Sequence, residues 1–156
     1  YNQIFDFPYT IIRPSALYGE RCVSRMVGQI FIENAIQNLE ITINGDGNEK
    51  LDFTYIDDLI SGISECCSNK NAINETFNLT FGNSRKINEL ISVLKSEFSE
   101  VKVNYSKREK FMPERGTLKI EKAKKLLGYN PVNPIEKGYI DYIKWYKNFW
   151  SEIYKA

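Results

Sequence analysis

With 156 residues, 42% of them hydrophobic and 26% charged, and a formal net charge of +1, the chain has the size and balance of one globular unit. Near-neutral charge gives no reason to expect nucleic acid or an anionic membrane surface as a partner, and no run of about 18 apolar residues is available to span a bilayer. Histidine is absent, which removes the commonest general base and most metal and triad chemistry; any catalysis would fall to Asp, Glu, Lys, Tyr or Cys.

In chain order, the first strand is expected at 9–13, where Thr10, Ile11 and Ile12 form a β-branched run of the kind found in buried strands and Pro14 ends it. A core strand so early leaves two alternatives: it lies at a sheet edge, or the rest of its sheet lies upstream. Residues 24–38 read as an amphipathic helix with Met26, Val27, Ile30, Phe31 and Ile36 on one stripe and Ser24 as N-cap. A strand at 40–44, a turn at 45–47 and a strand at 51–56 read as a hairpin-like unit. Asp58 is expected to cap a helix through 59–68. A strand at 75–80 leads by a Gly-Asn-Ser turn into a helix at 87–98, and 101–105 is strand-like. After a basic loop at 106–116, a helix at 120–128 ends on Gly128. The last helix starts at Pro134, with Asn133 as its cap, and carries a wide apolar face from Ile135 to Ile153.

Several conspicuous groupings have plain structural readings. Asp57 and Asp58 are adjacent, so their side chains diverge and a paired-carboxylate acid/base site is rejected. Cys66 and Cys67 are expected as buried small residues, since no histidine is present to activate a thiol. With Cys22 they make three cysteines, which fit neither a disulfide framework nor a zinc spacing. Reduced thiols, a cytoplasmic location and no metal are expected, and the chain opens with no signal-peptide pattern. The aromatic stripe of the last helix reads as core or inter-domain packing rather than a ligand groove.

Three segments in order, TIIRPSALYGER, ITINGDGNEKLDFTYIDDL and RGTLKIEKAKKLLGYNP, resemble the C-terminal half of extended short-chain dehydrogenases/reductases. The resemblance is to the NAD-dependent epimerase/dehydratase group that acts on nucleotide sugars, and it covers about residues 1–148. It implies an α/β fold: late strands and helices of an NAD(P)-binding Rossmann-like sheet plus the small α/β substrate-binding domain. Residues 1–156 would be the C-terminal, substrate-binding portion, with the N-terminal cofactor-binding half absent. The early strand would then be a late strand of that sheet. For the full-length enzyme the resemblance implies NAD or NADP, a nucleotide-sugar substrate and a homodimer as the candidate assembly.

The family's Gly-x-x-Gly-x-x-Gly turn and its Tyr-x-x-x-Lys pair are both missing from this sequence. No catalytic residue is therefore assigned, no tightly bound cofactor is expected, and the chain alone is not expected to turn over. The resemblance implies that Pro14 and Ser15 lie beside the nicotinamide, that Thr42, Ile43 and Asn44 hold the nucleobase, and that Arg115 reaches the phosphates. Family members often carry Asn where Ala16 stands and Arg where Leu51 stands. Losing two hydrogen bonds to a charged group would weaken binding by about 10²–10⁴, unless Arg25 or Arg21 compensates. The alternative function is a non-catalytic binding or interaction module derived from such an enzyme.

Overall fold

A computed structural model describes residues 1–22 and 24–153. A single turn, α1 (Asn2–Phe5), precedes β1 (Thr10–Arg13) and β2 (Leu17–Tyr18). Then come α2 (Val27–Ile36), β3 (Ile41–Asn44), β4 (Lys50–Leu51), β5 (Thr54–Tyr55) and α3 (Ile56–Ser68). A 3₁₀ turn (Lys70–Ala72), β6 (Glu75–Asn78), β7 (Arg85–Lys86) and α4 (Ile87–Glu97) follow. The described chain closes with β8 (Val103–Ser106), α5 (Glu121–Leu127) and α6 (Ile135–Ile153).

The strands pair across long sequence separations: β1 with β6, β2 with β5 and β3 with β8, all parallel, and β4 with β7 antiparallel. The hairpin-like unit expected around Gly45–Gly47 is not formed. β3 and the strands after it take different partners, because parallel neighbours need long crossovers and the turn sequence governs only the local change of direction. β1 is covered on one face: Thr10 and Ile12 are half-buried, while Ile11 and Arg13 are exposed. β6 is its one strand partner among the described residues.

Two apolar clusters hold these elements. The larger joins α2, β3, α4 and α6 through Ile32, Ile41, Leu94, Tyr139 and Ile143. The smaller joins α3, β6 and α5 through Leu59, Phe77, Ala123, Leu127 and Tyr129. Each fully buried Leu, Ile or Phe contributes about 1.5–3 kcal/mol, which makes these clusters the main stabilising force. Gly62 lets α3 approach closely: a Cβ there would stand 2.9 Å from Leu79 and from the Tyr129 ring. On α6, Ile135, Tyr139, Tyr142, Ile143 and Tyr146 are buried at helical spacing, but Phe149 and Ile153 emerge beyond the core.

Helix starts differ from the expected caps. α2 begins after Met26, without a side-chain cap, and the Ser24 side chain does not serve. α3 begins at Ile56, so Asp58 lies inside its first turn rather than at its cap. There the buried Asp58 carboxylate accepts the backbone N–H groups of Val132 (3.0 Å) and Asn133 (3.1 Å) and the Asn133 amide (2.9 Å). Asn133, expected as the cap of α6, thus donates its side-chain amide to Asp58. Cys66 is buried as expected, whereas Cys67 is exposed. Burial pushes the Cys66 thiol up, further from the thiolate a nucleophile needs.

Asp52 is fully buried between β4 and β5, and accepts three bonds, from Thr80 Oγ1 (2.8 Å), Gly82 N (3.0 Å) and Leu118 N (3.0 Å). Removing it strands three donors away from water, each worth about 1–3 kcal/mol. Asp52→Ala is therefore expected to lower stability by at least about 3 kcal/mol, measured as a fall in the urea midpoint.

Candidate functional site

A cleft of about 420 Å³ opens where the ends of these elements converge. One wall is β3, with Thr42, Ile43 and Asn44; another is the stretch Glu49–Leu51 with Phe53. Ala16, Leu17 and Tyr18 lie beside the first turns of α2, which contribute Val27, Gly28 and Phe31. Met112, Pro113 and Arg115 close the cleft from the loop between β8 and α5. A second depression, about 350 Å³, lies between α4 and α6, but its charged residues Arg85, Glu89 and Glu136 are tied to one another.

The edge that β3 presents follows from its register. Ile41 N donates to Lys102 O and Gly45 N to Ser106 O, both 2.9 Å, so alternation puts Ile43 on the β8 edge as well. The peptide groups of Thr42 and Asn44 therefore point to the opposite edge, which is unpaired among the described residues. The Ile43 side chain is buried in the core and serves as apolar floor, and the Asn44 side chain accepts a bond from Ser106 Oγ at 2.8 Å. What this strand offers a ligand is chiefly backbone N–H and C=O, a pattern suited to a planar heterocycle with its own donors and acceptors.

Of the residues singled out in the sequence, Thr42, Ile43, Asn44 and Arg115 share this cleft, together with Ala16 and Leu51. Arg115 is exposed and enters no ion pair among the described residues. Pro14 and Ser15 follow β1 at its carboxyl end, and the cleft wall starts one residue later, at Ala16. Ala16 has φ 40°, a left-handed conformation that asparagine tolerates better than alanine. Glu49, Lys50, Met112 and Pro113 were not singled out in the sequence. The first two stand between the Gly-Asp-Gly turn and Leu51, where a reading of strand and turn passes over them.

Arg25 lies outside the cleft. Its guanidinium meets Glu33 Oε2 through Nε (3.0 Å) and Nη2 (2.7 Å), so it does not replace the charge missing at Leu51. Glu33 is buried, and its Oε1 accepts from Gln29 (2.8 Å) and the Tyr146 hydroxyl (2.7 Å). Arg21 is exposed in a turn, also away from the cleft wall.

A sequence model of the NAD dependent epimerase/dehydratase family matches residues 1–80. An uncharacterized UDP-glucose epimerase of Bacillus subtilis is 30% identical over 139 residues, covering 88% of this chain and 44% of its own length. An epimerase structure from Methanothermobacter thermautotrophicus superposes with a TM-score of 0.92 at 25% identity, over 99% of this chain and 48% of its own. UDP-glucuronic acid 4-epimerase of Bacillus cereus, in complex with UDP-glucuronic acid and NAD, gives a TM-score of 0.88 at 29% identity, over 95% and 48%. The chain spans about half the length of the relatives it matches.

The Glu33 cluster has a pH signature. Burial raises the Glu33 carboxyl, but the bonds from Tyr146, Gln29 and Arg25 outweigh it and leave the group below the ordinary carboxylate range. A depressed folded value means that its stabilisation is complete above the unfolded range and is lost as pH falls through the folded value. Thermal midpoints should therefore fall on acidification below about pH 4.5, and Glu33→Gln should fall less steeply over that interval.

Proposed function

The chain belongs to the NAD-dependent epimerase/dehydratase family, and from that membership we propose that it supplies the sugar-nucleotide site of an NAD-dependent enzyme acting on nucleotide sugars. Its parallel strands and flanking helices are those of a Rossmann-like sheet with a small α/β substrate domain. The observation that carries the reading is the convergence on one cleft of the β3 edge and Arg115, both unpaired among the described residues. The peptide groups of Thr42 and Asn44 would meet the nucleobase, Ile43, Phe31 and Phe53 would supply apolar surface, and Arg115 would grip the diphosphate. Pro14 and Ser15 would face the nicotinamide end, at the carboxyl end of a sheet strand, where open α/β sheets place ligands.

The residues present do not fit the dinucleotide itself. No strand among the described residues passes through a glycine-rich turn into a helix: β1 leads to Pro14 and β2, and β5 runs straight into α3. Among the described residues that leaves no glycine-rich strand–turn–helix unit of the kind that holds a dinucleotide's pyrophosphate. The unpaired edge of β1 and the exposed Ile11 are where we place a cofactor-binding half. NAD titrated against this chain alone should show no micromolar binding by calorimetry.

A non-catalytic binding module is the second reading, favoured by Ala16 and Leu51 in place of the family's polar residues. Binding separates neither reading from the other; turnover with a cofactor-binding half does. The cleft itself is tested by titration with UDP-glucose. A planar guanidinium can hold a phosphate through two parallel bonds, and Leu51 adds no charge, so Arg115→Ala should raise the dissociation constant about 30- to 150-fold. Lys107→Ala and Lys110→Ala should change it little, since exposed loop lysines are screened by water and salt. Leu51→Arg should tighten it. Equal, small effects from all the alanine variants would remove Arg115 from the site.

A further inference from the structure

The Glu49–Leu51 wall of the cleft rests on very little secondary structure. β4 is two residues long, and its one strand partner among the described residues is β7, with Lys50 opposite Lys86 and Leu51 opposite Arg85. Next to that ladder, Ile87 N donates to Glu49 O (3.1 Å), Asn88 N to Gly47 O (3.0 Å) and the Asn88 amide to Asp46 O (3.0 Å). Ile87 also lines the cleft. The passage from β7 into α4 is therefore what the wall leans on. A two-stranded pairing this short is marginal on its own, so the wall keeps its shape only as well as β7 keeps its place.

Arg85 is the side chain that ties β7 to two helices. Its Nε donates to Glu89 Oε1 of α4 at 2.7 Å, and its Nη2 donates to Glu136 Oε1 of α6. Glu89 Oε2 accepts from Lys86 N at 2.7 Å, so that carboxylate holds β7 at two points. Glu136 stands three residues beyond Asn133, whose backbone N–H and amide are bonded to Asp58, so the arm on α6 is anchored as well. Burial raises the Glu136 carboxyl, but the bond from Arg85 outweighs it and leaves the group below its ordinary range. A planar guanidinium can meet carboxylates on two different elements at once, a geometry that a point charge does not reproduce. Arg85 itself does not line the cleft.

We propose that Arg85 is a positioning residue for the cleft: by clasping Glu89 of α4 and Glu136 of α6 it holds β7, and through β7 the Glu49–Leu51 wall, in the shape that binds a nucleotide sugar. The inference rests on the sugar-nucleotide reading and adds to it a residue that acts from outside the cleft. Coupling of this kind runs through one contiguous path, from the clasp to the β7–β4 ladder and the Ile87 and Asn88 bonds, and requires no contact between Arg85 and the ligand.

The test is calorimetric titration with UDP-glucose, together with amide hydrogen exchange read residue by residue. Arg85→Met should raise the dissociation constant about 3- to 30-fold, the range of coupling carried by packed networks. In the same variant, exchange at Ile87 and Asn88 should speed up by more than exchange at Ile32 in the core. Glu136→Gln should weaken binding too, and the double variant should bind no more weakly than Arg85→Met alone, because both changes open one clasp. Lys122→Ala, which breaks an ion pair with Glu75 away from the cleft, should leave the affinity unchanged. Failure of the wild-type protein to bind UDP-glucose would overturn the sugar-nucleotide reading and this inference with it. With wild-type binding intact, the Arg85 assignment alone would be overturned by any of four results: unchanged affinity in Arg85→Met, exchange at Ile32 speeded as much as at Ile87 and Asn88, strictly additive losses in the double variant, or an equal loss in Lys122→Ala.

Discussion

The Asp52 carboxylate organises the ground on which the cleft stands. Its three donors come from Thr80 and Gly82, after β6, and from Leu118, just ahead of α5. One buried side chain thus fixes the relative positions of three segments that are far apart in sequence. The stretch holding Glu49 to Phe53 forms one wall of the cleft, and the loop that ends at Leu118 brings Met112 and Arg115 to another. A charge in the interior is tolerable when its lone pairs are filled, and here backbone N–H groups do most of the filling, which gives the contact both strength and direction. Asp58 repeats the device at the entrance to α6, where two backbone N–H groups and the Asn133 amide meet on one carboxylate.

Around these polar hubs the apolar clusters supply bulk stabilisation without specifying much geometry. The α2–α6 contact shows the division of labour. Tyr139 is buried to its hydroxyl, which donates to Gly28 O at 2.8 Å, and Tyr146 reaches Glu33 at 2.7 Å. Aromatic rings provide the buried area while their polar ends set the helix register. Gly28, at one end of that contact, is also a cleft residue, so the packing of α6 and the shape of the cleft are mechanically joined.

Elements that carry their own signal were legible in the sequence. The 3.6-residue stripes of α4 and α6, the β-branched run of β1 and Gly128 after α5 are local patterns, and the structure keeps them within a residue or two. What the sequence concealed was pairing. Gly45–Gly47 looks like a hairpin turn from its neighbours, yet β3 pairs with β8, and no local pattern announces that partner. Asp58 was misplaced for a related reason: its acceptors' partners, Val132 and Asn133, lie more than seventy residues away. Arg25 and Arg115 are equally plausible phosphate ligands by residue type, and only the carboxylate that claims one of them separates the two. Ordered motifs located the cleft wall at Thr42–Asn44, whereas Glu49 joins that wall only through the folded course of the chain between β3 and β4.

The long-range parallel pairings also set how this chain must reach its fold. Tyr9 and Asn74, which meet at the start of the β1–β6 ladder, are 65 residues apart in sequence. β3 cannot complete its ladder until β8 exists, and β1 waits in the same way for β6. Such a topology gives a high contact order, in which much chain entropy is surrendered before the first strand contact forms. During synthesis β1 would emerge from the ribosome long before its partner, with Ile11 and its neighbours uncovered. The helices, whose contacts are local, are free to form first. Slow, collapse-dependent assembly is therefore a kinetic property of the same non-local pairings that bring the cleft walls together.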